Sequence, residues 1–397
     1  MRQSGLTVIT EIEPARADAL PGVLRAAEKM DPFGSMKGVH HAAFVILPEI
    51  DKIPARLVME TNFDGQLGDH LDELIRHGAN LLDNIYANCK DYPAAGARNQ
   101  PQRVTDYFIK HRVPSTAYYV ALPGRARDDI CNAIEVYQAA REYLDQCLAQ
   151  DPAFCKLDQD QVWCKLVEHF RTAGAPKPIR SPVSQRGLGW RARLNALMLL
   201  VLSVPGLLVS PILLLIARVY ECREARTCMK RRFPIHPKVY KYLNLGRQNH
   251  MCTLATVKLS RFRALMIRLV LFITKVLAGK VFILGKLDTI TTIHFARWSL
   301  IDGNRHVLFL SNFDGTWSNY LDDFSDPPHL NAVWSNTERF PPTRFMLWEG
   351  ARHIEQFQAH VVEEFQPTFF FHRPYGDHSV ENLLRYLQLR DELARAI

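Results

Sequence analysis

An internal repeat constrains this chain more than any other feature of its sequence. The stretch HAAFVIL from His41 to Leu47, a short connector, ARLVMETNFDG from Ala55 to Gly65 and then HLDELI come first. They return as HFARWSLI from His294 to Ile301, HVLFLSNFDG from His306 to Gly315 and then NYLDDF. The His-to-Asp interval is 23 residues in the first copy and 20 in the second, and the connector between the two strands absorbs the difference. Upstream, Thr7 to Met30 parallels Thr253 to Val276: a β-branched run with Thr leads into a segment of helical periodicity. Downstream, STAYYVALPGRARDD near residue 120 matches TFFFHRPYGDHSVEN near residue 370, a further strand followed by a helix.

Each copy thus predicts strand, helix, strand, strand, helix, strand, the order of the split βαβ or ferredoxin-like motif. Helices cover one face of such a sheet, and two copies in one chain can bury the other faces together. The expected fold class is α+β: two tandem ferredoxin-like repeats packed as a pseudo-symmetric dimeric α+β barrel, with an apolar helical insertion. The expected parts are a first repeat over 1–125, a helical connector over 126–185, an apolar membrane-associating insertion over 186–245 and a second repeat over 246–397. The duplication can replace a dimer or sit inside a larger one, so the oligomeric state stays open.

The insertion holds 24 consecutive uncharged residues, Leu194 to Ala217, enough to cross a hydrocarbon core of roughly 30 Å. Arg186, Arg191 and Arg193 precede it, and Arg218, Arg223, Lys230, Arg231 and Arg232 follow, so the flanks give no orientation. A single crossing would put the two halves on opposite sides of a membrane, where they could not share a core. Pro205, Gly206 and Pro211 supply breakers for a segment that turns back or lies on the surface. The other strongly apolar stretch, Ala264 to Ala278, carries Arg268 and Lys275; with Arg261 they fall seven apart on one helical face, as in an in-plane amphipathic helix.

The net charge is +8, and the basic residues crowd around this apolar part between about Arg180 and Lys286. That pattern suits anionic lipid headgroups. No zinc-finger, helix-turn-helix or RNA-binding signature accompanies the charge, so no nucleic-acid partner is expected. The eight cysteines form no CxxC pair and read as reduced structural thiols. The chain opens into the strand-like LTVITEIE, without the apolar core of a signal peptide. The expected location is the cytoplasmic face of a membrane, peripheral or monotopic.

Chemistry has few places to live. The repeated NFDG, Asn62 to Gly65 and Asn312 to Gly315, ends a strand and opens a helix. Asp64 and Asp314 suit N-caps of those following helices, or strand-end carboxylates facing a pocket, with Asn312 nearby. His294 recurs as His41, whereas Arg297 has Phe44 in its place in the first copy, which makes the second half the better site. Trp298, Trp317, Trp334, Asn336, Trp348, His372, Arg373, Tyr375 and His378 cluster there, as in a cofactor or apolar-ligand pocket or a large aromatic core. Nucleophile elbow, phosphate loop, HExxH and dinucleotide fingerprints are absent from the sequence.

Tandem ferredoxin-like repeats with an Asp-Gly pair ending a strand resemble the dimeric α+β barrel superfamily, particularly dye-decolorising peroxidases. Thr61 and Ser311 stand where that family's Gly-x-x-Asp-Gly motif begins. The resemblance covers roughly 1–125 and 246–397. It implies haem as cofactor, Asp64 or Asp314 as distal acid and Arg297 beside it, with His294, His372 or His378 as the iron ligand. A membrane-associated peroxidase-like oxidoreductase acting on an apolar or lipid-derived substrate is the implied function. The alternatives are a non-catalytic lipid-binding or membrane-scaffolding protein, and a cofactor-free monooxygenase-like enzyme using Asn312, Asp314 and His294.

Overall fold

The computed structural model describes residues 3–50, 52–172, 175–179, 209–224, 243–280, 287, 290–325 and 328–397. The first half runs β1 (Gln3–Glu11), α1 (Leu20–Met30), β2 (Val39–Leu47), β3 (Arg56–Asp64), α2 (Leu67–Tyr86), α3 (Pro101–Lys110), β4 (Ala117–Val120), α4 (Arg127–Gln150) and α5 (Gln159–Arg171). A helix over 209–223, here α6, precedes the second half. That half runs β5 (Gln248–Thr256), α7 (Arg261–Lys280), β6 (Ile293–Ile301), β7 (His306–Asp314), α8 (Trp317–Ser325) and α9 (Pro328–Trp334). It closes with the short hairpin β8 (Thr343–Arg344) and β9 (Trp348–Glu349), then α10 (Ile354–Glu364), β10 (Thr368–His372) and α11 (Val380–Ala396).

The architecture is α+β with antiparallel sheets. β1 pairs with β3 from Gln3↔Asp64 to Glu11↔Arg56, and β5 pairs with β7 from Gln248↔Asp314 to Thr256↔His306. The copies therefore share one register, counted from the same Gln–Asp pair. Their fourth strands are exchanged: the sheet orders are β1-β3-β2-β10 and β4-β6-β7-β5, so each half completes the other's sheet.

The expected closed barrel is not formed. No ladder joins the edges of one sheet to those of the other among the described residues. β4 and β10, four and five residues long, spend their hydrogen bonds on β6 and β2, and closure would need long, staggered edges. The sheets instead stack face to face. Val45, Leu47 and Val58 of one meet Cys252, Leu254 and Leu310 of the other in an apolar layer.

Both faces of each sheet are covered, which explains why the strands read as near-continuous apolar runs instead of alternating. α1 and α2 cover the outer face of the first sheet. α7 to α10 cover the second. α4 and α11, which follow the exchanged strands, pack together with Tyr137 stacked on Tyr386 at 3.9 Å between ring centres. Of the uncharged run, residues 194–208 lie outside the described residues, as do Arg186, Arg191, Arg193 and Lys230 to Arg232. Residues 209–217 form the first part of α6. No described helix is long and apolar enough to cross a membrane.

Candidate functional site: the buried polar layer between the sheets

A polar cluster sits between the two sheets, beside the apolar layer. Arg297 on β6 is fully buried and reaches across to the first half. Its Nη1 donates to Leu6 O at 2.8 Å and Thr7 Oγ1 at 3.0 Å; its Nη2 donates to Thr61 O at 3.0 Å and to Asn62 Oδ1. Glu60 Oε1 lies 3.4 Å from Nη2, and the Tyr118 ring lies 5.2 Å below the guanidinium. Asn62 Nδ2 donates to Asn312 Oδ1 at 2.9 Å, so the two NFD asparagines meet where the copies face each other. Of the Arg297 nitrogens only Nε lacks a partner.

The registers show how the cluster fits. His41↔Asn62 corresponds to Phe295↔Asn312, so Ala43, not Phe44, is the counterpart of Arg297. By the same count Leu310 replaces Glu60, and Gly5 replaces His250. These mismatches are complementary in volume and charge. A Cβ on Gly5 would stand 2.6 Å from Arg297 Nη2, so the missing side chain of one copy admits the guanidinium of the other. His250 fills the equivalent space on its own side: its Nε2 is 2.6 Å from Glu60 Oε2 and its Nδ1 is 2.7 Å from Thr368 Oγ1.

Burial alone would raise the Glu60 carboxyl, but the Arg297 charge and the hydrogen bonds of His250 and Asn62 outweigh it and hold it below the usual range. Thr368, His250 and Glu60 have the bonding order of a hydroxyl–imidazole–carboxylate relay. All three are buried at 1–3 % exposure, and the relay's hydroxyl is turned to His250 within the sheet stack, away from solvent.

Asp314 and Asp64 do cap helices, but not those that follow them in sequence. Asp314 Oδ2 accepts from Val380 N at 2.7 Å at the start of α11, and Asp64 Oδ2 accepts from Arg127 N at 2.7 Å at the start of α4. The N-cap of α2 is Gln66, which makes no side-chain cap. Each carboxylate's other oxygen faces a histidine: His294 Nε2 at 2.8 Å from Asp314 and His40 Nε2 at 3.1 Å from Asp64. His40, not His41, is thus the equivalent of His294. Both sit at the bulge where the β2–β3 and β6–β7 registers shift. His41 instead lies 5.1 Å from the His294 ring and stacks on Phe371, with its Nδ1 buried and unpartnered. Burial, reinforced by His294 and His40, holds it well below the ordinary histidine range.

The histidines named as iron ligands do not converge. His294 is bonded to Asp314, and its ring lies against Tyr375. His372 Nδ1 is 2.8 Å from Asp31 Oδ2, and His378 faces the Tyr386 hydroxyl at 3.3 Å. Arg297 and Asn312 are spent on the sheet interface. His294 and His372 are 2 % and 3 % exposed, so in this arrangement neither has beside it the open face that a haem needs. A small apolar cavity lies elsewhere, between the outer face of the second sheet and α8 to α10, near Phe309, Trp334, His360 and Glu364. It has about 20 Å³ of free space, room for one or two waters. Burial pushes His360 down to about 3 and, with the nearby Glu363 charge, lifts Glu364 to about 8.

No protein-family model matches the chain, and no curated protein or solved structure was found to match it. The likeness to dye-decolorising peroxidases therefore rests on the repeat and its Asp-Gly pairs alone. Glu60, His250, His40, Tyr118 and Gly5 were not singled out from the sequence. For Glu60, His250 and Gly5 the signal was present, because each is a position where the two copies differ.

Two predictions follow from this layer. Gly5→Ala forces the guanidinium out of its cradle and costs about 2–3 kcal/mol. Arg297→Met strands the Glu60 carboxylate and costs about 3–5 kcal/mol. Urea unfolding measures both, and losses under about 0.5 kcal/mol would show that the cluster does not hold the sheets together. The second concerns pH. His41, His70 and His360 are all held below their ordinary value, the last two at about 3, so unfolding lets each take up a proton once the pH drops below about 6.5. Glu364, raised to about 8, works in the opposite sense, because the folded state keeps its proton. These three histidines, with His378 lowered in the same sense, outweigh the one glutamate, so about two protons or more are taken up on unfolding between pH 4.5 and 6.5. Thermal midpoints are expected to fall as pH is lowered through that window; a flat or rising profile contradicts the assignment.

Proposed function

We propose that this chain is a non-catalytic membrane-associated protein, a lipid-binding or scaffolding body whose two ferredoxin-like halves form a rigid core carried on the bilayer surface. The observation that carries the reading is the outer face of α6. Val209, Ile212, Leu215, Ile216 and Val219 are 48 %, 57 %, 60 %, 38 % and 47 % exposed, on the helix that ends the uncharged run. At 100° per residue they share one arc, while Leu213 and Ala217 on the adjoining arc pack inward with Met266 and Met346. A contiguous apolar face of this kind on a folded body marks an interaction surface.

Burying five half-exposed aliphatic side chains contributes on the order of 5 kcal/mol. That supports reversible attachment and not permanent anchoring. The polar layer between the sheets supports the non-catalytic half of the reading, because Arg297, Glu60, His250 and Thr368 are buried and bonded to one another or to the sheets.

Flotation with phospholipid vesicles tests the attachment. The full chain is expected to rise with the vesicles, and Ile212→Asp combined with Ile216→Asp is expected to weaken that at least tenfold while keeping cooperative unfolding. A chain that stays entirely in the soluble fraction ends the proposal. The peroxidase reading is tested separately: protein purified from haem-supplemented cells is expected to show no Soret band and no stoichiometric iron. Finding both would restore haem chemistry and displace the non-catalytic reading.

A further inference from the structure

Helix α7 packs against α6 through Phe262, Met266, Leu269 and Val270, with Tyr220 stacked on Phe262 at 4.9 Å. A second arc of α7, with Ile267 and Leu271 among its residues, is buried toward the second sheet. What remains is a third arc. Arg261, Leu265, Arg268, Phe272 and Lys275 fall within about 80° of one another at 100° per residue. All five are exposed, Leu265 at 56 % and Phe272 at 58 %. Leu259, just before the helix, is 86 % exposed.

The acids of the two helices are turned away from it, and Glu338 lies at its edge beside Arg223 and Leu259. α7 contains no Asp or Glu. On α6, Glu221 faces inward and accepts from Thr343 Oγ1 at 2.7 Å, Met346 N at 2.9 Å and Arg218 Nη1 at 3.1 Å. Glu224, at its end, is held by Arg263 at 2.8 and 2.9 Å and by Lys258 at 2.9 Å. Among the described residues the outward arcs of both helices therefore carry apolar and cationic groups and no acid, with Arg223 exposed at the end of α6.

We infer that α6 and α7 together form one docking face for an anionic bilayer, lying in its plane, with Arg261, Arg268 and Lys275 at the lipid phosphates and Leu265, Phe272 and the outer arc of α6 below them. The inference rests on the membrane reading above and adds to it the chemistry of the lipid and the orientation of the body. Alternation of cation and large apolar group along one stripe is what the headgroup boundary accommodates. A nucleic acid would engage the cations but leave Leu265, Phe272 and the α6 arc uncovered. A second copy of the chain would bring two cationic faces together, and like charges at an interface oppose association.

Each basic group near an anionic leaflet strengthens binding roughly fivefold. The test compares the full-length chain on neutral phosphatidylcholine vesicles and on vesicles with about one-third phosphatidylglycerol, at low and high salt. Binding is expected to be stronger on the anionic vesicles by a hundredfold or more, and high salt is expected to remove most of the difference. The triple variant Arg261→Gln, Arg268→Gln, Lys275→Gln is expected to lose about 100-fold on anionic vesicles and little on neutral ones. Leu265→Asp with Phe272→Asp is expected to weaken both. These side chains are exposed, so thermal midpoints near the parent's serve as the folding control. Equal binding to the two vesicle types, or a triple variant that binds anionic vesicles like the parent, overturns the inference and leaves the membrane reading intact. Failure of the parent on every vesicle removes both.

Discussion

The buried Arg297 guanidinium sets the terms on which the two sheets can meet. A charge taken wholly out of water is tolerated only where acceptors surround it. Those acceptors are Leu6 O, Thr7, Thr61 O and Asn62, all from the opposite half. Sliding one sheet against the other by a residue would strand the guanidinium and the Glu60 carboxylate together. A purely apolar layer such as Val45, Val58, Leu254 and Leu310 would permit several nearby packings, because dispersion is not directional. On this argument the ion pair contributes more to a single register than to net stability, the role best attested for buried polar groups.

The repeat and its strands were legible because apolar, β-branched runs and the NFDG ends recur at nearly constant spacing, and the paired registers carry that spacing directly into hydrogen bonds. Exchange of β4 and β10 was not legible. Four or five residues such as AYYV and TFFFH show that a strand exists but not whose edge it joins. The histidine pairing slipped by one for a related reason. A bulge adds a residue to one strand without changing the pattern of the rest, so His40 and His41 are indistinguishable until the register is known. Asp64 and Asp314 were legible as caps, but cap chemistry in the sequence names only the local helix, and the helices they serve begin 63 and 66 residues away.

Recurrence in a duplicated chain marks what both halves need in order to fold. His40 with Asp64 and His294 with Asp314 occupy equivalent places and tie equivalent helices to equivalent strands, which is a structural task performed twice. The differences carry more information. Inside, they cancel: Gly5 against His250, Ala43 against Arg297 and Leu310 against Glu60 exchange volume and charge across the interface. Differences that cancel within the molecule serve packing.

Outside, one difference does not cancel. α1 is 11 residues long and its counterpart α7 is 20. α7 holds Phe272, Ile273 and Lys275 in solvent and packs at Phe262 and Met266 on α6, a helix with no equivalent among the described residues of the first half. A folded chain keeps large exposed apolar groups next to unpaired cations at a cost in solubility, since apolar patches promote self-association unless repulsion or a partner covers them. The second half thus carries a surface that suits the bilayer proposed above, with cations to meet negative charge and apolar groups to meet hydrocarbon.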